Sequence, residues 1–567
     1  MDTTNSATLS LLIESEFNIK GKIIKDFGKW KGKPISHTII FEDCVFESDY
    51  SFIDTVAQND IFFNNCTFKN LSFLNCSFEQ FIAFNNCTLQ GELFFSDCKF
   101  SFISFSGGTY SKMEFAGFIN AYSNRDSYIN FENGNFTSLK LSCKEINCPI
   151  TITGGTYDTI HVEKTKMNQR FLFSEGDIKI NELYLISSEF NDRVDLLKGE
   201  VTGTTYIHKV SFNEQVVIGR DFLSRSLTIA HVYAKQNFSI SFDGNITHLY
   251  LSDNDFQGTF NCHSLSTEPR TRAGELSCDI SGLNKGNILF ESIPASINVG
   301  GVNLGNIIFK NIETNFIIIQ DFYNQNKLTF ADLKLIHNQH FFIIFDSNIN
   351  NTEFVNVDFR KFDELVIAKS EVSNIVLSNS VLPPRIQIGT KNPIFGYVIK
   401  PDEKINDNTY YRETYRQLKL AMEKQGNKAS SLIFKAKEMH YLRKELPIGW
   451  DKFLLYLNYI SNNHGLSWSR GICFTLVISW LMFIFFQETL VHPNYVWGLS
   501  WSLSDTYKSF KSGLNGYSEF ITSFPGFKVS EHSSYKWETN LILLLSRILI
   551  GYGIYQTITA FRKFANK

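Results

Sequence analysis

Residues 62–100 read FFNNCTFKNLSFLNCSFEQFIAFNNCTLQGELFFSDCKF, four cysteines in under forty positions. Cys66, Cys76, Cys87 and Cys98 fall 10, 11 and 11 residues apart, and each occupies the same six-residue frame. The frames run Phe63 to Phe68, Phe73 to Phe78, Phe84 to Leu89 and Phe95 to Phe100. Each unit is an apolar residue, two mostly polar ones, a small one, a variable one and a second apolar residue. Internal repetition of this kind decides architecture ahead of local propensity.

The frame extends in both directions. Phe41 to Phe46 carries Cys44 in the small slot, and Phe105 to Tyr110 carries Gly108. Later copies place Gly155, Gly176, Ser188, Asn254, Asn348, Val357, Ser370 and Ser380 there. A metal site needs a defined number of thiolates or imidazoles in one place. Exchange of Cys for Gly, Ser and Asn in a single slot answers instead to a steric demand inside a narrow interior. Cys44, Cys66, Cys76, Cys87, Cys98 and Gly108 are therefore read as a structural ladder, with no metal or cofactor attached.

Short apolar strands recurring every ten or so residues, with polar corners between them, are what a parallel β-solenoid needs. Backbone groups pair between successive coils, and like residues stack. Two frames make a coil of about 20 to 22 residues. The phrasing of residues 41–110 resembles the pentapeptide-repeat family and other right-handed β-helices, although the five-residue phase drifts after residue 110. The fold class expected is mainly β: an N-terminal cap over 1–37, then a right-handed parallel β-helix over 38–390. Pro383, Pro384, Pro393 and Pro401 cluster where the repeats stop. Proline removes ladder donors, so 391–407 reads as a linker.

Composition agrees. Aromatics make up 15% of the 567 residues and 54 of them are Phe, against 11 Pro, which suits many short bulky strands rather than disorder. A formal net charge of -3 gives no electrostatic case for nucleic acid. The first residues lack the basic and apolar regions of a secretory signal, so the solenoid is expected in the cytoplasm, with its ten cysteines as thiols.

From residue 408 the period becomes helical. Tyr411, Tyr415, Leu418 and Met422 share one stripe, Gly426 and Asn427 break it, and Leu432, Met439 and Leu442 follow on a second helix. Residues 402–444 hold ten Lys/Arg against six Asp/Glu. This basic hairpin, 408–446, either lies against anionic lipid or packs as a solvated pair on the solenoid end. A membrane module over 450–567 comes next. It opens with an aromatic interfacial stretch between Lys452 and Arg470 and has spans near 471–488 and 540–561. Positive charge before the first span and after the second puts both termini in the cytoplasm of a bacterial inner-membrane, multi-pass protein. Residues 408–567 resemble the C-terminal module of bacterial pentapeptide-repeat membrane proteins, a resemblance that implies topology more than activity.

Arg547, inside the second apolar stretch, is the residue most suspected of function. A mid-span arginine either snorkels to the outer face or lines a polar seam between subunits. The Gly551-Tyr552-Gly553 triplet invites comparison with a potassium-channel filter but sits within an apolar span, where small residues serve helix packing. His337 and His340 read as a loop pair, and Cys262 and Cys278 stand isolated. No nucleotide-binding, hydrolase or zinc-protease motif occurs, so an enzyme is not expected. The function expected is a scaffold or sensor anchored in the lipid bilayer that binds a cytoplasmic protein partner. The alternative is a membrane effector, pore-forming or membrane-disrupting, gated by the β-helix and suited to anti-phage defence. Self-association fits either.

Overall fold

The structure is a computed structural model and describes residues 13–14, 17–25, 29–122, 127–264, 275–336, 339–389, 407–489, 503–522 and 537–565. Residues 391–406 of the expected linker, with Pro393 and Pro401, lie outside the described residues, as does His337. The chain divides into two units, one dominated by residues up to 386 and one by residues from 387 onward.

The first unit is a parallel β-solenoid of about 16 turns, its strands running from Asn18–Lys20 to Val376–Ser378. Alternation of buried and half-exposed residues, as in Ile61 to Asn64, sends every second side chain inward. One interior column can be followed from end to end through strand partners. It runs Ile19, Phe41, Phe63, Phe84, Phe105, Phe131, Ile152, Phe173, Leu196 and Ile218. It continues through Ile240, Cys262, Phe290, Phe309, Phe330, Phe354 and Leu377. Between Phe41 and Phe131 its rings stack at 4.9, 4.9, 5.1 and 5.2 Å, close to the spacing of paired strands. A second column, Phe52, Phe73, Phe95 and Phe115, stacks at 5.0, 4.9 and 4.9 Å. The abundance of Phe thus has a geometric cause: a flat ring meets its own kind once per coil.

The corner beside the small slot explains the polar residues. Asp43, Asp54, Asn65, Asn75, Asn86 and Asp97 all adopt φ between 52° and 56°. Asn and Asp tolerate this left-handed region better than other non-glycine residues. The slot residue that follows donates back to the preceding coil. The thiols of Cys44, Cys66, Cys76, Cys87 and Cys98 reach the carbonyls of Ile19, Phe41, Phe52, Phe63 and Phe73 at 3.1 to 3.4 Å. Thr165, Ser347, Ser380 and Asn254 make the same bond to Leu141, Ile319, Phe354 and Ile229. Where the slot residue donates, Cys, Ser and Thr serve alike. Where it holds Gly108 the coils leave no room for a side chain, since a Cβ there would stand 2.2 Å from the Cys87 carbonyl.

Two features depart from the sequence reading. The copy assigned to Asn348 is shifted by one, because Asp346 takes the left-handed corner at φ 47° and Ser347 is the residue that donates inward. The slot is also broader than the small set expected, since Thr55, Val210, Val232, Ile293 and Ile312 occupy it fully buried behind left-handed Asp54, Lys209, His231, Ser292 and Asn311.

The second unit is helical. A hairpin of α1 (Asp407–Lys424) and α2 (Lys428–Glu445) is followed by α3 (Trp450–Asn462), α4 (Trp468–Thr489), α5 (Leu503–Thr522) and α6 (Trp537–Ala565). Tyr415, Leu418 and Met422 are buried on the stripe expected for α1, and Tyr411 stacks on Tyr441 at 4.6 Å. α2 also turns Glu438 inward, where Lys419 meets it at 2.8 Å. Asn427 caps α2 by accepting from the Ser430 amide.

Candidate functional site

The structural-ladder cysteines separate into two columns, one per corner of the coil: Cys44, Cys66, Cys87 and then Gly108 on one, and Thr55, Cys76 and Cys98 on the other. All ten cysteines are free thiols, and only Cys473 is exposed. Burial pushes the Cys148 thiol up to about 12 and raises those of Cys262 and Cys278 as well, which keeps them protonated and unreactive. Among the described residues no cluster of His, Cys, Asp or Glu could hold a metal ion.

The outer face of the solenoid carries two features that the sequence reading missed. The first is an asparagine ladder. Asn147, Asn168, Asn191 and Asn213 each donate from the side-chain amide to the Asn of the preceding coil, beginning at Asn120, at 2.5 to 2.6 Å. The second is a row of imidazole and phenol rings. His161 faces Tyr184 at 5.4 Å, Tyr184 faces Tyr206 at 6.3 Å, Tyr206 lies against His208 at 5.4 Å and His208 against His231 at 5.2 Å. Tyr250 extends the row two coils beyond Tyr206 through Thr228. Burial, then the neighbouring His231 and Lys209, lower the His208 pKa. The signal was present: His161, Tyr184, Tyr206, Thr228 and Tyr250 recur every 22 or 23 residues, one coil each.

Among the described residues of the helical unit, two helices are long and apolar enough to cross a membrane, Trp468–Thr489 and Trp537–Phe561. They lie antiparallel and in contact. A Cβ on Gly471 would stand 2.6 Å from the Thr557 hydroxyl and one on Gly553 2.5 Å from that of Thr475, while Thr539 donates to the Thr489 carbonyl. Gly553 is therefore a packing residue, whereas Gly551 faces open space, and both lie within α6. Arg547 stands on α6 with its side chain exposed.

The turn between α3 and α4 places Asn463, His464 and Gly465 at φ 53°, 57° and 90°. Buried Asn462 ties this turn to α6, donating to the side chain and the carbonyl of Gln556. Beside it Arg443, 7% exposed, lies over the rings of Tyr456 and Tyr459 at 4.5 and 4.2 Å. This cation–π sandwich compensates a buried guanidinium that meets no carboxylate among the described residues. Burial, then Arg443 and His440, depress His464 to about 4, so it is neutral. Trp450, Phe453, Leu454 and Ile460 form an exposed apolar stripe on α3 at helical spacing.

Comparison of the chain with protein-family models, curated proteins and solved structures gives no match in any of the three. Fold and site geometry define the class: a β-solenoid joined in one chain to a helical unit with two membrane-length helices.

Proposed function

We propose that the protein is a membrane-anchored sensor or scaffold, with α4 and α6 as its spans and the solenoid as the part that binds a cytoplasmic protein. The observation that carries the reading is the exposure of the two apolar helices, which bury only 22% of their most apolar windows. A core helix of a soluble domain is mostly buried, so these surfaces call for lipid. Lys452 before α4, Arg470 in its first turn, and Arg562 and Lys563 at the end of α6 support termini on the cytoplasmic side of a bacterial inner membrane. The apolar stripe of α3 suits the headgroup boundary beside them. The row from His161 to Tyr250 suits protein contact, since tyrosine is enriched at interfaces. Resemblance to pentapeptide-repeat membrane proteins agrees with this arrangement.

The test is carbonate extraction of membranes from cells making the full chain, with a photo-crosslinking residue at Tyr206. Retention in the membrane and one discrete adduct support the reading. Release into the soluble fraction, or no adduct from Tyr206, refutes it. A second reading, a membrane effector, is favoured by the exposed Arg547, whose charge is incompatible with lipid contact deep in a span. Depolarisation of cells by the wild type and its loss in Arg547→Leu, followed with a voltage-sensitive dye, would select it.

A further inference from the structure

α2 ends in Arg443, Lys444 and Glu445, and its charged groups differ in the partners they find. Glu445 meets Arg412 of α1 at 2.7 Å and Glu438 meets Lys419 at 2.8 Å, so both carboxylates of the helix are engaged within the hairpin. Arg443 is buried against α3 instead, under Tyr456 and Tyr459. Ring contact answers part of its charge but offers no lone pair to its N–H groups. Arg443 Nη2 lies 3.2 Å from His440 Nδ1, while Nη1 is buried without a hydrogen-bond partner.

Other donors and cations gather at the same place. His464, 6% exposed, has both ring nitrogens unpartnered, and its ring stands 6.0 Å from that of Tyr459. Burial, then Lys444, Arg443 and Lys437, lower the His440 pKa, so three cations act on one imidazole. Because Nδ1 of neutral His440 faces a guanidinium, which only donates, the ring proton sits on Nε2. The joint lies beside the turn that Asn462 ties to Gln556, at the end of α4 and α6 where Gly471 meets Thr557. The α3 that carries the two tyrosines also carries the exposed side chains of Trp450, Phe453, Leu454 and Ile460.

We infer that this joint is a phosphate-binding site with Arg443 as its principal ligand, and that its occupant is the headgroup of an anionic phospholipid. The inference rests on the reading of α4 and α6 as spans, which puts the joint at the membrane surface. Burying a cation without a counter-charge costs free energy that a bound anion returns. Phosphate fits the guanidinium best among common anions at that surface, since its oxygens accept from two N–H groups at once. Exposed Lys444 adds charge at the rim, and neutral His464 adds a ring N–H. The apolar stripe of α3 decides between a lipid and free phosphate, because it offers the acyl chains of the same molecule a surface beside the site. Tyr456, 47% exposed, is the more exposed of the two rings and turns aside as the headgroup enters.

The test is binding of a phosphatidylglycerol, fluorescently labelled on its acyl chain, to the full-length protein in a neutral detergent, with phosphatidylcholine and inorganic phosphate as competitors. Saturable binding is expected, with phosphatidylcholine competing about 10-fold more weakly than unlabelled phosphatidylglycerol, because its ammonium meets the same cations. Arg443→Gln is expected to weaken binding about 30-fold, the loss of charge-assisted hydrogen bonds, and Arg443→Lys about 10-fold, since an ammonium keeps the charge without the fork. Lys444→Gln, at an exposed position where folding is least disturbed, is expected to weaken it about fivefold. Absence of saturable binding by the wild type, equal competition by the two lipids, or unchanged affinity in Arg443→Gln and Lys444→Gln overturns the inference. Inorganic phosphate competing as well as phosphatidylglycerol, mole for mole, overturns the lipid as occupant. Retention of the chain by carbonate without a lipid preference means that the site has failed and the spanning reading stands, whereas release by carbonate with the preference intact means the reverse.

Discussion

Asn168 occupies the centre of the asparagine ladder, and its replacement tests whether the exterior of the solenoid contributes stability. The side chain donates to Asn147 Oδ1 at 2.6 Å and accepts from Asn191 Nδ2 at 2.6 Å. It also meets the Glu145 carboxylate. Asn168→Ala removes both ladder bonds and leaves one acceptor and one donor facing a gap. At about 1 kcal/mol per hydrogen bond the local loss is about 2 kcal/mol. Repeat arrays are held by nearest-neighbour terms, so that loss stays near the coils it touches. Hydrogen exchange read by mass spectrometry on the full chain should show amides between Ile146 and Asn191 exchanging about 30-fold faster, with amides around Phe309 and Phe330 unchanged. Asn168→Asp should do worse than Ala, because it sets a carboxylate against the Asn147 carbonyl oxygen and Glu145. Acceleration below about threefold in the Ala variant would mean that water replaces the ladder without loss. Acceleration spread evenly along the solenoid would refute nearest-neighbour coupling.

Three further outcomes are expected. Gly553→Leu should separate α4 from α6, since even a Cβ at that position stands 2.5 Å from Thr475 Oγ1; melting of the detergent-solubilised protein should fall, while Gly551→Leu, facing open space, leaves it unchanged. Asp195, fully buried, accepts from Arg193 Nε at 2.6 Å and Arg170 Nε at 2.8 Å, and Asp195→Ala should cost about 3 kcal/mol in denaturant unfolding, the low end for a broken buried pair because both arginines can rehydrate. His464 has a folded pKa of about 4, below its unfolded value, so its contribution is complete above about 6.5 and is lost as pH falls toward 4; His464→Asn should flatten the melting temperature against pH over that window, and an unchanged slope would refute the assignment.

The interior of the solenoid was legible because its cause is periodic. Phe63, Phe84 and Phe105 recur once per coil, and the Asn or Asp before each cysteine marks a left-handed corner that few other residues tolerate. The frames at Thr55, Val210 and Ile293 were less legible because the slot there is not small, whereas the left-handed corner residue before it is the steadier sign. The row from His161 to Tyr250 was harder to read for a different reason: exterior positions alternate with the core and carry no hydrophobic signal, so its only trace in the sequence is a recurrence every 22 or 23 residues, which the strand register confirms. Arg547 could be picked out because a charge inside an apolar run is conspicuous. The seat of α5 could not, since its composition is that of a surface helix and it is held to α4 by a contact between Tyr517 and Ser479, 38 residues apart.

Both units bury polar atoms without hydrogen-bond partners, among them Asn261 Oδ1, Thr329 Oγ1 and Glu364 Oε2 in the solenoid, but in the helical unit several gather at one joint, and that clustering locates conformational choice in the chain. Along the solenoid, strand pairing, corner donors and amide ladders repeat coil after coil, so a rearranged coil would have to break contacts on both sides. At the joint of α2, α3 and α4, by contrast, Arg443 Nη1, Asn458 Oδ1 and both ring nitrogens of His464 are buried without hydrogen-bond partners. Such groups make one arrangement only modestly better than its neighbours, because a rearrangement that supplies them with water or an anion recovers free energy. The helical joint, beside the turn that Asn462 ties to Gln556, is then the part able to exist in two states.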